Sequence, residues 1–186
     1  MGNYTELEIN EIMKTMVVLV DTREQPTPRY YHRIRQFQFP YRRQKLEFGD
    51  YSCECTLPGG DVLDFSSHVS VERKQDIEEL CMCFGTQRKR FEKEFEWARQ
   101  REARLYLLTE HPDPKETRND VGWSQVFNGS YDSRLPSKSL LASILAWGAR
   151  YNMVFQFACW KYSGQLIENI LYRELKEYLR NQEAGD

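Results

Sequence analysis

The stretch HVSVERKQDIEELCMCF, residues 68–84, changes its periodicity midway, and that change decides the fold class. Val69 and Val71 alternate with polar neighbours, the period-two pattern of a half-exposed strand running to Lys74. From Asp76 onward, Ile77, Leu80, Cys81 and Phe84 recur at i, i+3, i+4 and i+7, and Asp76 with Glu79 has capping-box spacing. A helix therefore starts directly after the strand. A strand feeding straight into an amphipathic helix is a building unit of α/β domains.

Working outward, residues 16–20 are a continuous Val-rich apolar run, the pattern of a strand buried on both faces. Residues 44–48 and 51–56 read as two strands meeting at Gly49-Asp50, with a Pro-Gly-Gly turn over residues 57–61. Residues 6–14 suit a short helix. Residues 87–100 suit a longer one that buries Phe91, Phe95 and Ala98. Strands are expected at residues 105–109 and 153–158. Between them lies a helix over 137–150 with Leu140, Leu141, Ile144 and Leu145 on one side. A last helix spans about 164–180, with Ile167, Ile170, Leu171, Leu175 and Tyr178 inward. The expected architecture is α/β, a mixed β-sheet flanked by helices. Without a repeat or linker it forms a single domain over residues 1–186, with a motif core at about 16–110 and C-terminal helices at about 137–181.

The 186 residues are 40% hydrophobic and 29% charged, with a net charge of −2. Nucleic-acid contact must then come from a local basic patch, not from bulk charge. No apolar run approaches the roughly 18 residues of a membrane span. Glu6, Glu8 and Glu11 stand where a signal peptide would be basic and then apolar. The expected setting is cytoplasmic, nucleoid-associated in a bacterium or phage and nuclear in a eukaryote, with no membrane partner. The five cysteines suit reduced thiols. Cys53-x-Cys55 and Cys81-x-Cys83 invite zinc, but the second pair lies in a helix, where residues two apart diverge by about 200°.

The chemistry begins at Glu72 and Lys74, two apart on a strand and so on one face. The carboxylate can hold Mg²⁺ through oxygen, while the ammonium stabilises negative charge or orients an attacking water. Mg²⁺ asks for only one or two protein carboxylates, and Asp50 supplies the second if its strand lies beside that of Glu72. Asp21-Thr22-Arg23-Glu24 emerges at the C-terminal end of the buried strand, where open α/β sheets place ligand sites. Residues 25–46 hold Arg29, Arg33, Arg35, Arg42, Arg43 and Lys45 without one acidic residue. Basic side chains pair with phosphates, so this cluster, joined by Arg88 and Arg90, is the candidate DNA-binding surface. The interleaved Tyr30, Tyr31, Phe37, Phe39 and Tyr41 serve equally as core or as stacking surfaces for bases.

In that order, VDTRE at 20–24, GDY at 49–51 and VERK at 71–74, the chain resembles the nuclease domain of the XPF and Hef family of structure-specific endonucleases, within the restriction-endonuclease-like nucleases. The resemblance extends to the Arg90-Phe91 pair and to a strand ending in Thr109-Glu110. It implies that Asp50 and Glu72 bind Mg²⁺ (or Mn²⁺), that Asp21 is a further carboxylate near the metal, and that Lys74 is the catalytic lysine. Arg23, Glu24 and Arg73 would organise the site or touch phosphate. Where the family usually has Asp, four positions after the lysine, this chain has Glu78. Members commonly carry a tandem helix-hairpin-helix domain after the nuclease, whereas this chain resembles the compact stand-alone versions. The implied function is metal-dependent cleavage of branched or flap DNA, as in repair and recombination. The alternatives are a non-catalytic DNA-binding scaffold of the same fold and a restriction-type nuclease. The family's domains pair, so a homodimer is expected, with Trp147, Tyr151, Trp160, Tyr162 and Tyr172 as candidate anchors.

Overall fold

In the computed structural model, residues 4–181 are described; the ends of the expected 1–186 domain, 1–3 and 182–186, lie outside the described residues. The strand at β5 (Val69–Lys74) is buried along nearly its whole length, where half-exposure was expected. Its neighbours explain this. It lies between β3 (Tyr51–Thr56), antiparallel to it, and β6 (Arg104–His111), parallel to it. On the far side of β3 runs β1 (Val17–Asp21), antiparallel to β3 and parallel to the edge strand β2 (Tyr41–Gln44). The other edge is β7 (Val154–Cys159), parallel to β6. A short β4 (Val62–Asp64) pairs with β3, and the strand order is β2-β1-β3-β5-β6-β7.

Helices cover both faces, which is why the valines facing one layer and the polar residues facing the other are all enclosed. One face carries α1 (Glu6–Lys14), α2 (Pro28–Ile34) and α7 (Ser163–Arg180), packed on Val18, Val20, Tyr51, Val69, Val71 and Leu108. The other carries α3 (Ile77–Phe84), α4 (Arg88–Gln100), α5 (Trp123–Asn128) and α6 (Ser137–Tyr151), packed on Leu105 and Leu107. Among the described residues no helix is long and apolar enough to cross a membrane. Cys53 and Cys55 belong to the first layer and Cys81 and Cys83 to the second, all as free thiols, so the two pairs cannot share one ion.

Three expectations need correction. The hairpin between residues 44–48 and 51–56 does not form. The strand comes earlier, at β2, and pairs with β1, while the chain after Gln44 turns inward, burying Leu46 and Phe48. Gly49 ends that turn at φ +71°, with Ser70 Oγ 2.7 Å from where a Cβ would sit. On α6 the inner seam runs Leu140, Ser143, Ile144, Trp147 and Tyr151, leaving Leu145 61% exposed. Trp147 and Tyr151 are therefore core, Trp147 stacked on Phe91 and Tyr151 edge-to-face with Phe95, and are not interface anchors. The helix α2 was not foreseen, although Thr27 caps it and Pro28 occupies its first turn.

Candidate active-site cleft

The backbone brings the three motifs to one end of three adjacent strands. Asp21 N donates to Asp50 O at 2.8 Å, and Asp50 N donates to Val71 O at 2.9 Å, so Asp50 sits between the ends of β1 and β5. Period-two alternation then sorts the side chains. Glu72 and Lys74 project toward α4, where the Lys74 ammonium lies 4.8 Å from the Phe91 ring centroid. Arg73, between them, projects toward α2. Asp50, Glu72 and Lys74 line a cleft of about 230 Å³ together with Arg23, Glu24, Arg73, Glu79, Arg90 and Glu94.

Within the cleft Lys74 donates to Glu72 Oε1 and lies 3.9 Å from Glu79 Oε1. Burial alone would lower the Lys74 pKa, but Glu72, then Cys83 and Asp50, hold it above the ordinary lysine value. Lys74 is therefore a fixed cation at neutral pH. Asp50 is the opposite case: burial, then the charges of Glu72 and Glu24, push its carboxyl well above the ordinary range. Its one side-chain hydrogen bond among the described residues comes from the Arg73 backbone N–H, 2.8 Å from Oδ2.

Behind the cleft, on the α2 face, lies a closed ring of ion pairs. Arg33 donates to Glu24 at 3.1 Å and to Glu110 at 2.7 Å, and Arg73 faces the same two carboxylates at 3.2 and 3.5 Å. Tyr51 donates to Glu24 at 2.8 Å and accepts from Arg33 Nε at 2.8 Å, while Ser163 donates to Glu110 at 2.5 Å. Two cations against two anions make the ring neutral. Opening it by removing one partner would leave a buried charge at a cost of about 3–5 kcal/mol. Its position holds Arg73, and with it the backbone N–H that fixes Asp50.

Asp21 does not line the cleft. Its carboxylate is fully buried and accepts from Arg23 N and Nε, both at 2.7 Å, and from Leu46 N at 2.6 Å. Burial would raise its pKa, but the hydrogen bonds from Arg23 and Leu46 outweigh that and hold it below the usual value. Arg23 is thereby placed at the cleft rim. Glu78 accepts from Asp132 N at 3.2 Å and lines the groove adjoining the cleft, not the cleft itself.

The basic cluster is divided. Arg33 is 1% exposed and belongs to the ring, so it is no DNA-binding surface residue. Arg43 donates to the carbonyls of Thr22 and Glu24 at 2.7 and 2.8 Å, bracing the loop after β1. Arg42 pairs with Glu54 at 2.6 Å on the β2 edge. Arg88 lies over the Trp147 ring at 5.7 Å. Arg35 and Lys45 are exposed but line neither the cleft nor its grooves. Arg29 and Arg90 remain with Arg23 around a groove of about 620 Å³ adjoining the cleft. Of the aromatics, Tyr30, Phe37 and Phe39 pack on the core, while Tyr31 and Tyr41 are exposed.

Reading by pattern missed Glu94 and the structural role of Arg33 and Glu110. Glu94 was legible as the residue four after Arg90 on the polar stripe of α4, but its neighbouring opposite charges resemble ordinary surface pairing. Arg33 follows Tyr30 and precedes Ile34 on the inner face of a helix that was not expected.

The sheet order and the cleft at its end define a restriction-endonuclease-like α/β fold. No family model matches the chain, and no curated protein matches it by sequence. Among solved structures, the fold is similar to that of XPF from Aeropyrum pernix, with a TM-score of 0.54 at 19% identity over 83% of this chain and 63% of that one. A structure of the same protein in complex with DNA gives a TM-score of 0.54 at 18% identity over 91% of this chain and 68% of that one. The chain thus has an XPF-like fold and spans about two thirds of the length of those structures.

Proposed function

We propose that this chain is a divalent-cation-dependent DNA endonuclease hydrolysing phosphodiester bonds. The observation carrying the reading is the convergence of Asp50, Glu72 and a permanently cationic Lys74 on one cleft. Asp50 and Glu72 line one cleft and offer only oxygen ligands, the donor chemistry of Mg²⁺ or Mn²⁺; among the described residues no group of three or more ligand-type side chains gathers, so water and phosphate would fill the remaining positions. When bound, the ion supplies Lewis acidity toward phosphate oxygen and activation of water. Lys74 would donate to the negative charge that develops on phosphorus-bound oxygen or orient the attacking water. Arg23 and Arg90 at the rim would hold flanking phosphates. Asp21 is the brace of Arg23, and Arg73 with Glu24 is the brace of Asp50; neither Asp21 nor Arg73 is assigned to the reacting atoms.

Branched or flapped DNA is the substrate we favour, because the rim arginines border two separate grooves that meet at the cleft. The test is cleavage of labelled blunt duplex, flap and four-way substrates with Mg²⁺. Cutting of the flap that is lost in EDTA and in Asp50→Asn is expected. Equal cutting in EDTA would overturn the reading. We further propose a homodimer built on the β7 edge, where Trp123 and Phe127 are 40% and 64% exposed beside Phe155 and Phe157. A mass that stays at 22.2 kDa into high micromolar protein in sedimentation equilibrium rules it out.

A further inference from the structure

The polar stripe of α4 continues past the cleft. Arg90, Glu94, Trp97 and Arg101 stand at i, i+4, i+7 and i+11, one face of the helix, beside the buried Phe91, Phe95 and Ala98. Arg90 and Glu94 line the cleft and also line a second groove, of about 550 Å³, in which Trp97 and Lys93 appear with Arg23. That groove is therefore continuous with the cleft, and it shares Arg23 and Arg90 with the groove of Arg29. Trp97 is 50% exposed, and a tryptophan this open on a well-packed helix has no part in the core. Arg101, fixed to Glu47 at 2.9 Å, lies over the ring 5.3 Å from its centroid and holds it in place. Among the described residues no other aromatic ring packs against Trp97.

We infer that Trp97 is a stacking platform for an unpaired nucleobase of the strand whose phosphate enters the cleft. The inference rests on the nuclease reading above and deepens it. Three residues of helix separate Trp97 from Glu94, about 4.5 Å along the axis at 1.5 Å per residue. A nucleotide whose phosphate lies in the cleft can thus lay its own or its neighbour's base on the ring. Arg23, Arg90 and Lys93 in this groove are balanced by Glu47, Glu94 and Glu96, so the ring and not net charge would hold the strand there, and it accepts any base because every base has a π-face. A base still paired in a duplex cannot reach it, so Trp97 favours DNA with unpaired bases beside the cut.

The experiment uses the full chain carrying Asp50→Asn, so that binding is read without cleavage. Fluorescence anisotropy is followed with a fluorescein-labelled blunt duplex and with the same duplex bearing a single-stranded flap. Adding Trp97→Ala is expected to weaken flap binding about tenfold, the loss of one stacked base, with blunt-duplex binding changed less than twofold. Trp97→Phe is expected to keep most of the affinity. Flap binding within twofold of the parent, or equal loss on both DNAs, overturns the platform, as does a parent that binds neither. Failure of the nuclease reading shows up separately, as absence of Mg²⁺-dependent cutting by the unaltered chain.

Discussion

Asp50 is costly to the folded chain by itself, because its carboxylate is held beside Glu72 and Glu24 with a single hydrogen-bond donor. Asp50→Asn is therefore expected to raise the melting temperature without divalent ions, on the order of 2–4 °C, while lowering turnover roughly 100-fold or more. Adding Mg²⁺ should raise the melting temperature of the parent and not of the variant, which calorimetry reads directly. Asp21 behaves in the opposite sense. Its folded pKa is depressed, so its ionised form contributes stability above the unfolded carboxylate pKa and loses it as pH falls through the folded value. Asp21→Asn is expected to cost about 1.5–3 kcal/mol at neutral pH. In urea melts that penalty should shrink once the pH drops below the ordinary carboxylate value of 3.8. That Glu72 and Lys74 share a face was legible in the sequence because strand alternation fixes it, and Asp50 joins them in the cleft through the pairing of β3 with β5. The bracing role of Asp21 was not, since it depends on a backbone N–H contributed by Leu46 from a distant turn.

At the scale of elements, helix α7 decides how well α2 is seated. Gly164, in its first turn, comes so close to α2 that a Cβ there would lie 2.2 Å from Arg33 O. Glu168, one turn on, accepts from Gln38 N and Phe39 N at 2.7 and 2.9 Å. Gly164→Ala should push the two helices apart at a cost of about 1–3 kcal/mol, measurable as a lowered urea midpoint. It should also reduce turnover, because Arg33 carries the ring that holds Arg73. Most helices were legible from the spacing of their apolar residues, α3, α4 and α7 among them. The segment holding α2 and β2 was not. Its arginines dominate the pattern, and Arg33, which looks like a surface charge, is one of the most buried side chains in the chain.

For the whole molecule, the divided basic cluster changes what the net charge of −2 allows. Eight basic residues were candidates for DNA contact, which would give a log–log salt dependence of binding with a slope of about −7. With Arg33 buried, Arg42 and Arg43 engaged, and Arg35, Lys45 and Arg88 away from the cleft, only Arg29 and Arg90 of the eight remain; Arg23 and Lys93 bring the cations around the cleft and its grooves to four. A slope of about −4 is expected from titrations of Asp50→Asn with flap DNA across salt concentrations. A slope near −7 would mean that the β2 edge also contacts phosphate. The mixed sheet itself was legible from the alternation of strand and helix patterns. The edge strand β2 was not, because nothing local in residues 41–44 tells the chain to pair with β1.

The hydrogen bond from Ser163 to Glu110, with Gly164 seated on α2, also says when the cleft can be complete. A chain leaving the ribosome exposes every motif residue well before residue 163 emerges. Domains fold during synthesis as units, and until α7 docks, Arg33 and Glu110 lack the layer that covers them. Arg73, whose backbone N–H holds Asp50, is then without the ring that seats it. On the function proposed above, birth and competence are separated, and a half-made chain would not cut the DNA around it.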